Sequence, residues 1–343
     1  MLLFFNGLLA FMSAFLLSFY LCRSTLPLEI LDHPNTRSLH QHPIPRTGGL
    51  ALLGGILVGM VFNRVATANP PVPLMGGLLS SLALLAIISF QDDRGGVSTK
   101  WRILVHLLVA VSLLFIGLVC HQIELPGLIF PLAGWIGVPL TILFIVWMIN
   151  LYNFMDGMDG FAGGMAVIGF ATLAWLGRAD SQYTAFCLII VAASAGFLVH
   201  NFPPAKLFMG DTGSTTLGLL VAACSLWGSK AGLFPLWVAL LVFSPFIADA
   251  TVTLLRRLLR GERIWEAHRT HYYQRLVLLG WGHRRTVLVE YVLMLACAGS
   301  AAWAVSLSPS GQTILAATWI FIYVLLMIGV GWLKRRRATV SAL

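Results

Sequence analysis

Four polar stretches interrupt long apolar sequence, and each holds side chains that can do chemistry. The first, "SFQDDRGGVSTKWR" over 89–102, sets Asp92 and Asp93 side by side ahead of a glycine turn and a basic pair. Adjacent carboxylates repel, and a divalent cation or a shared proton relieves the repulsion; a solvated interfacial loop is the plainer alternative. The second, "NLYNFMDGMDGFAGG", runs from Asn150 to Gly164 and places Asp156 and Asp159 three residues apart, on one face if the segment is helical. Its glycines permit tight turns and the close approach of a ligand to the backbone. A calcium loop is excluded, because alternating oxygen ligands and a closing Glu are missing; a purely structural turn is not. The third, "NFPPAKLFMGDTGSTTLG" over 201–218, turns through two prolines and presents Gly210, Asp211, Thr212, Gly213 and Ser214 ahead of an apolar run. Small residues at a helix start suit phosphate oxygens, and an acid there suits a hard metal bridging them; a helix cap is the alternative for Asp211. The fourth, over 256–285, contains His268 and His271 with Arg269 and Arg275 nearby. Zinc finds no third ligand close by. The arginines favour anionic phosphate, and an anchor on lipid headgroups is the alternative.

The elements that must position these stretches are apolar helices. The chain of 343 residues is 58% hydrophobic and only 10% charged, against about 25% charged in soluble domains, so the bilayer is its solvent. A helix needs roughly 20 residues to cross about 30 Å of hydrocarbon. Eleven runs qualify, at about 2–22, 47–66, 73–90, 102–120, 132–150, 161–177, 184–200, 213–228, 231–255, 287–306 and 313–332. The first lacks a basic flank, which favours a retained span over a cleaved signal peptide. This threading puts all 22 basic residues except Arg64, Arg178 and Lys230 on one face, and every acid except Glu124 and Asp180 on or near it. Positive residues stay inside, so the N-terminus is expected outside, the C-terminus in the cytoplasm, and the chemistry on the cytoplasmic face.

The expected organisation is therefore one polytopic all-α membrane domain over 1–343, a bundle of 10–11 transmembrane helices. Its cytoplasmic site loops fall at about 23–46, 91–101, 151–160, 201–212 and 256–286. The net charge of +9 is the mark of a basic cytoplasmic face; with no soluble basic domain, nucleic-acid binding is excluded. The five cysteines, scattered through apolar segments without CxxC spacing, read as small buried hydrophobes. Mg²⁺-dependent transfer of a phosphate-linked group explains with one site why acids, glycines, histidines and arginines converge. It also explains the membrane, since one substrate can be a lipid. A secondary transporter is the rival from another class, but transporters place ionisable residues near the bilayer midplane, not at span ends; a scaffold protein is a further rival.

The stretches resemble the polyprenyl-phosphate N-acetylhexosamine 1-phosphate transferases, the family of MraY, WecA and TagO. The resemblance runs from about residue 30 to 285. It rests on "DHPNTRSLHQHPIPRTGGLAL" at 32–52, "DD" at 92–93, "NFMDGMDG" at 153–160 and "NFPPAKLFMGDTGS" at 201–214. It implies ten or eleven transmembrane helices around a cytoplasmic cleft. It also implies sugar 1-phosphate transfer from a UDP-N-acetylhexosamine to undecaprenyl phosphate, with Mg²⁺, or Mn²⁺ in its place, as cofactor. By the resemblance, Asp92 and Asp93 handle the lipid phosphate and metal. Asn153, Asp156 and Asp159 surround the nucleotide sugar, and Asp211 binds the metal. Asn201 and Phe208 lie near the uridine, His268 and His271 face the pyrophosphate, and Lys100 and Arg102 partner phosphate. Arg269 and Arg275 add charge, and Asp249 faces the cleft from a span's end. A homodimer and a place in the bacterial cytoplasmic membrane are also expected. Two departures stand out: Gly96 replaces the third acid of a DDxxD pattern, and "HRTHYYQRL" lacks the consecutive histidines of the muramyl-pentapeptide transferases. The latter points to the members that start O-antigen or other surface polysaccharides, with muramyl-pentapeptide transfer as the alternative.

Overall fold

Each of the eleven apolar runs forms a helix or, once, a pair of helices. The computed structural model describes residues 1–23, 30–34, 38–39, 42–67, 73–263 and 268–340; Glu29, Arg37 and Glu266, expected on the polar face, lie outside them. The helices are α1 (Leu2–Leu21), α2 (Gly48–Thr67), α3 (Pro73–Gly95), α4 (Thr99–Phe115), α5 (Gly134–Met155), α6 (Phe161–Leu176), α7 (Ser181–Asn201), α8 (Gly210–Lys230), α9 (Leu236–Val242), α10 (Ser244–Leu259), α11 (Tyr272–Leu276), α12 (Gly282–Ala304) and α13 (Pro309–Val340). A π-helical turn, Val277–Trp281, joins α11 to α12 and kinks at Gly280, whose φ is +88°. Two antiparallel hairpins complete the described elements: β1 (Leu31–Asp32) with β2 (Ile44–Pro45), and β3 (Gln122–Leu125) with β4 (Leu128–Pro131).

Seven helical segments among the described residues are long and apolar enough to span a membrane, and the α9–α10 pair, bent by 81°, brings the number to eight. This is fewer than the ten or eleven expected from sequence, and the shortfall has physical causes. α4 has 17 residues and α6 has 16, so at 1.5 Å per residue each falls short of about 30 Å. α4 also carries Lys100 and Arg102 in its first turn. α8 is long enough, but it is rich in Ser, Thr and Gly, and every residue from Thr212 to Leu226 is buried. A helix surrounded by protein does not need a lipid-compatible surface.

α8 is the axis of the bundle and packs against α5, α3 and α2. Close approach is what its small residues provide. A Cβ on Gly218 would lie 2.5 Å from the Met148 carbonyl oxygen and 2.8 Å from Ile149 Cα of α5. Ser89 of α3 and Thr215 exchange a 2.8 Å hydrogen bond, and the Tyr183 hydroxyl of α7 donates to the Cys224 carbonyl at 3.1 Å. α1, α2 and α7 form one flank. α10 to α13 form the other, where Pro245 starts α10 just after the bend. No cysteine among the five is paired, and Cys187, Cys224 and Cys297 are buried as expected.

Candidate active site

The first turn of α8 is set by a carboxylate from another helix. Asp93, at the end of α3, accepts from the Asp211 amide at 2.9 Å, the Thr212 amide at 2.9 Å and the Thr212 hydroxyl at 2.7 Å. These amides are among the donors every helix start leaves unpaired, and an acid there also meets the positive end of the helix dipole. Both Asp93 oxygens are thus committed to fixing α8, and Arg46 closes over them by donating to the Asp93 carbonyl. Gly210 has φ +68°, and a Cβ there would strike the Arg46 carbonyl and come within 2.9 Å of Asp93 Oδ2. The start of α2 docks on the same turn: Gly48 and Gly49 amides donate to Phe208 and Met209 carbonyls at 2.9 and 2.8 Å.

Asp92 points elsewhere. Its Oδ1 accepts from the Val97 amide at 2.6 Å and closes the α3–α4 turn, while its Oδ2 pairs with Arg102 at 2.8 Å. Arg102 reaches on to Asp211 Oδ2 at 3.6 Å. The adjacent acids therefore serve different partners. One caps α8, and the other anchors the arginine that faces Asp211.

The turn between α5 and α6 holds the other two acids. It is not helical: Asp156 ends α5, and Gly160, at φ +73°, begins α6. Asn201 accepts from the Gly160 amide at 3.0 Å and donates to the Leu207 carbonyl at 2.9 Å, which ties this turn to the loop before α8. Asp159 Oδ2 accepts from the Ala205 amide at 3.0 Å, and its Oδ1 lies 2.9 Å from His283 Nδ1. A side chain on Gly157 would strike the Tyr273 hydroxyl, and one on Gly164 would strike the Tyr291 ring, so these glycines serve packing.

A cavity of about 300 Å³ opens between these turns, lined by Asp93, Asn153, Asp156, Asp159, Asn201, Phe208 and Asp211 of the expected residues. Burial, and then the carboxylates of Asp211, Asp93 and Asp159, hold Asp156 well above the usual carboxylate range. Burial and then Asp93 push Asp211 up to about 7, with Arg102 pulling the other way. Among the described residues, the site gathers more negative than positive charge. Among the described residues no three His, Cys, Asp or Glu side chains converge as a complete metal cage. Magnesium keeps several waters and uses one or two carboxylates plus substrate phosphates, so two carboxylates at a cavity wall would be enough to hold it. Asp211, with 31% of its side chain open, and Asp156 supply such a donor set.

The structure differs from expectation at the long loop, where His268, Arg269, His271, Arg275 and Asp249 do not line this cavity. Asp249 accepts from the Tyr272 and Tyr273 amides at 2.9 and 3.0 Å, the Thr253 hydroxyl at 3.0 Å, and His271 Nδ1 at 3.1 Å. It is the cap of α11, and capping uses up both the acid and the buried His271. The His268 ring lies tilted beside His271, centroids 4.8 Å apart, and bonds to Thr270, while Arg275 lies over the Tyr272 ring. Asp249 and Tyr272 border a second, mostly apolar cavity of about 550 Å³ among α10, α12 and α13. Lys100 is exposed, and neither it nor Asp92 nor Arg102 lines the acidic cavity.

Comparison with known proteins bears on these same turns. Residues 75–229, which hold the Asp92–Asp93, Asp156–Asp159 and Asp211 stretches, match the family described as Glycosyl transferase family 4. A probable undecaprenyl-phosphate N-acetylglucosaminyl 1-phosphate transferase of Bacillus subtilis is 33% identical over 277 residues, covering 79% of this chain and 76% of that protein. The chain belongs to the polyprenyl-phosphate hexosamine 1-phosphate transferase family. A decaprenyl-phosphate N-acetylglucosaminephosphotransferase of Mycobacterium tuberculosis is 29% identical, covering 82% of this chain and 77% of its own length. A phospho-N-acetylmuramoyl-pentapeptide-transferase of Staphylococcus carnosus is 28% identical, covering 73% and 81%.

Within this member of the family, Asp32, Ser38, Arg46, Gln274 and His283 also line the cavity, and sequence reasoning did not single them out. Arg46 had a signal in the glycine pair that follows it, since two glycines at a helix start mark close backbone approach. His283 had none: it is a lone histidine among arginines, separated from its partner Asp159 by more than a hundred residues of chain.

Proposed function

We propose that this protein transfers an N-acetylhexosamine 1-phosphate from a UDP-sugar to undecaprenyl phosphate, giving the lipid diphosphate sugar and UMP. The observation that carries this is the cavity between the α5–α6 turn and the start of α8, where Asp156, Asp159 and Asp211 converge beside Arg46 and His283. A lipid phosphate oxygen attacks the β-phosphorus, the bond from that phosphorus to the bridging oxygen breaks, and UMP leaves with the electron pair. The lipid phosphate needs no dedicated base, because its second pKa of about 6 leaves it largely dianionic at neutral pH. That agrees with both Asp93 oxygens being hydrogen-bonded and with Asp92 being paired to Arg102.

Asp211 and Asp156 would hold Mg²⁺, with Mn²⁺ as substitute. When bound, the cation supplies charge neutralisation of the diphosphate and of the leaving UMP. Arg102 steadies Asp211 and, with Lys100 on the same helix turn, brings positive charge to the lipid phosphate. Asn153, Asp159, Asn201 and Phe208 form the nucleotide-sugar side of the cavity. The asymmetric distribution of basic residues supports a cytoplasmic cavity, an outside N-terminus and a cytoplasmic C-terminus. The sequence "HRTHYYQRL" favours a role in starting O-antigen or another surface polysaccharide.

The test uses purified protein, undecaprenyl phosphate and Mg²⁺, with UDP-N-acetylglucosamine, UDP-N-acetylfucosamine and UDP-N-acetylmuramyl-pentapeptide as separate donors. The expected result is UMP release and a lipid-linked amino sugar from one of the first two. Transfer from the pentapeptide donor alone would assign the chain to peptidoglycan synthesis, and no transfer from any would overturn the reading.

A further inference from the structure

His283 is a polar residue of the cavity that no expected role absorbs. It sits in the first turn of α12, just past the kinked π-helical turn at Val277–Trp281, and its ring forms part of the cavity wall with Asp159 and Asp156. Its Nδ1 lies 2.9 Å from Asp159 Oδ1, and the other oxygen of that carboxylate accepts from the Ala205 amide at 3.0 Å. The carboxylate is thereby pinned from two sides, and it fixes the imidazole. A carboxylate accepts from Nδ1–H, so Nδ1 carries a proton whether the ring is neutral or charged. Nε2 is the atom left over. It is buried and has no hydrogen-bond partner among the described residues. A buried unpaired nitrogen is costly, and in native structures it marks an interaction that the protein alone does not complete.

We infer that His283 Nε2 is a binding contact for the nucleotide-sugar substrate, oriented by Asp159, and that it distinguishes this substrate from the lipid phosphate. The inference rests on the function proposed above. Its support is the position of the ring. His283 shares its acid with the α5–α6 turn and the loop before α8, which with Asn153, Asn201 and Phe208 make one side of the cavity. The arginine paired to Asp92, which we place toward the lipid phosphate, does not line the cavity. The group that meets Nε2 is a hydroxyl, an amide N–H or a phosphate oxygen of the nucleotide sugar.

Two substitutions separate the ends of the ring. In His283→Asn the shorter amide can keep the bond to Asp159 but has nothing at the Nε2 position. In His283→Gln the longer amide reaches that position but loses the anchor. Steady-state kinetics with the full chain should show His283→Asn raising KM for the UDP-sugar about 10- to 100-fold, the scale of one buried hydrogen bond. KM for undecaprenyl phosphate and the melting temperature should stay within about twofold and a few degrees, and His283→Gln should recover part of the loss. Titration calorimetry with UMP and with the UDP-sugar then locates the contact. Weaker binding of both puts it on the nucleotide, and weaker binding of the UDP-sugar alone puts it on the sugar. Unchanged binding of both by His283→Asn, or an equal rise in both KM values with a fall in melting temperature, overturns the inference. A wild-type chain that binds the UDP-sugar but transfers nothing would overturn the proposed reaction while leaving the binding test in force.

Discussion

Replacing Asp211 by asparagine separates what this carboxylate does to the fold from what it does for the ligand. Burial and the neighbouring Asp93 raise its pKa from 3.8 to about 7. A folded pKa above the unfolded one means that the native state binds the extra proton between those values. Wild-type stability therefore falls as pH rises from about 4 to about 7 and is level beyond. At about pH 8 the full shift of about three units, at 1.36 kcal/mol each, opposes folding by about 4 kcal/mol as an upper bound. At about pH 5 only about one unit applies, or about 1.5 kcal/mol. The 31% open side chain screens part of this, and the variant forfeits the Arg102 contact, so a net gain of about 1–2 kcal/mol at the higher pH is expected. Asp211→Asn should thus melt above wild type in EDTA at about pH 8, and the gap should narrow at about pH 5. Saturating Mg²⁺ should raise the wild-type melting temperature, because a ligand of the native state alone stabilises it, and should leave the variant unmoved. Transfer should fall at least about 100-fold. Thermal unfolding of the detergent-solubilised protein at both pH values and with Mg²⁺ reads the stability effects, and a UMP-release assay reads transfer. A variant equally destabilised at both pH values, or one that Mg²⁺ stabilises as much as wild type, would refute the reasoning.

Asp159→Asn should lower transfer and also stability by about 1–3 kcal/mol, because one amide cannot accept from both Ala205 and His283; an unchanged melting temperature in thermal unfolding would count against that geometry. Asp249→Asn should destabilise more than it inactivates, since this carboxylate accepts three hydrogen bonds from the start of α11 and one from Thr253 of its own helix. Its activity per folded molecule, measured after removing aggregate by gel filtration, should stay within about tenfold of wild type. Gly210→Ala should cost about 1–3 kcal/mol from its left-handed backbone, plus the clash with the Arg46 carbonyl, and should weaken Mg²⁺ binding in calorimetry by tilting the turn that carries Asp211.

The apolar runs were legible because each helix announces itself in composition, and all eleven appear as helices or a helix pair. What composition could not show is which helices touch lipid. α8 reads as a span from 213 to 228, yet its Ser, Thr and Gly content is the mark of a helix enclosed by others. The turn at Asn150–Gly164 was legible as a candidate site because acids and glycines at the end of an apolar run have no use in lipid. Its detail was not, since Asp156 and Asp159 leave the helix, and Asp159 turns to Ala205 and His283.

The long loop shows where residue type misleads. His268, His271, Arg269 and Arg275 form the densest cationic set near the expected cleft, and charge counting sends them to the phosphates. Yet α11 is only five residues long and, like every helix, begins with unpaired amides that need an acceptor. Asp249 meets that need. Once its carboxylate is committed there, His271 is drawn to it at 3.1 Å and its ring is buried away from the acidic cavity. The residues from this segment that line the cavity are instead Gln274, from within α11, and His283, carried there by the kink at Gly280. Neither is conspicuous in a list of charges. A partner such as Asp159 becomes visible only when the α5–α6 turn and the α12 start are brought together, and that meeting is fixed by packing at Gly160 and Gly164 against Tyr291. Sequence reveals which residue types gather at one end of the bundle. The hydrogen bonds each helix start requires then decide which of them are left free to meet a ligand.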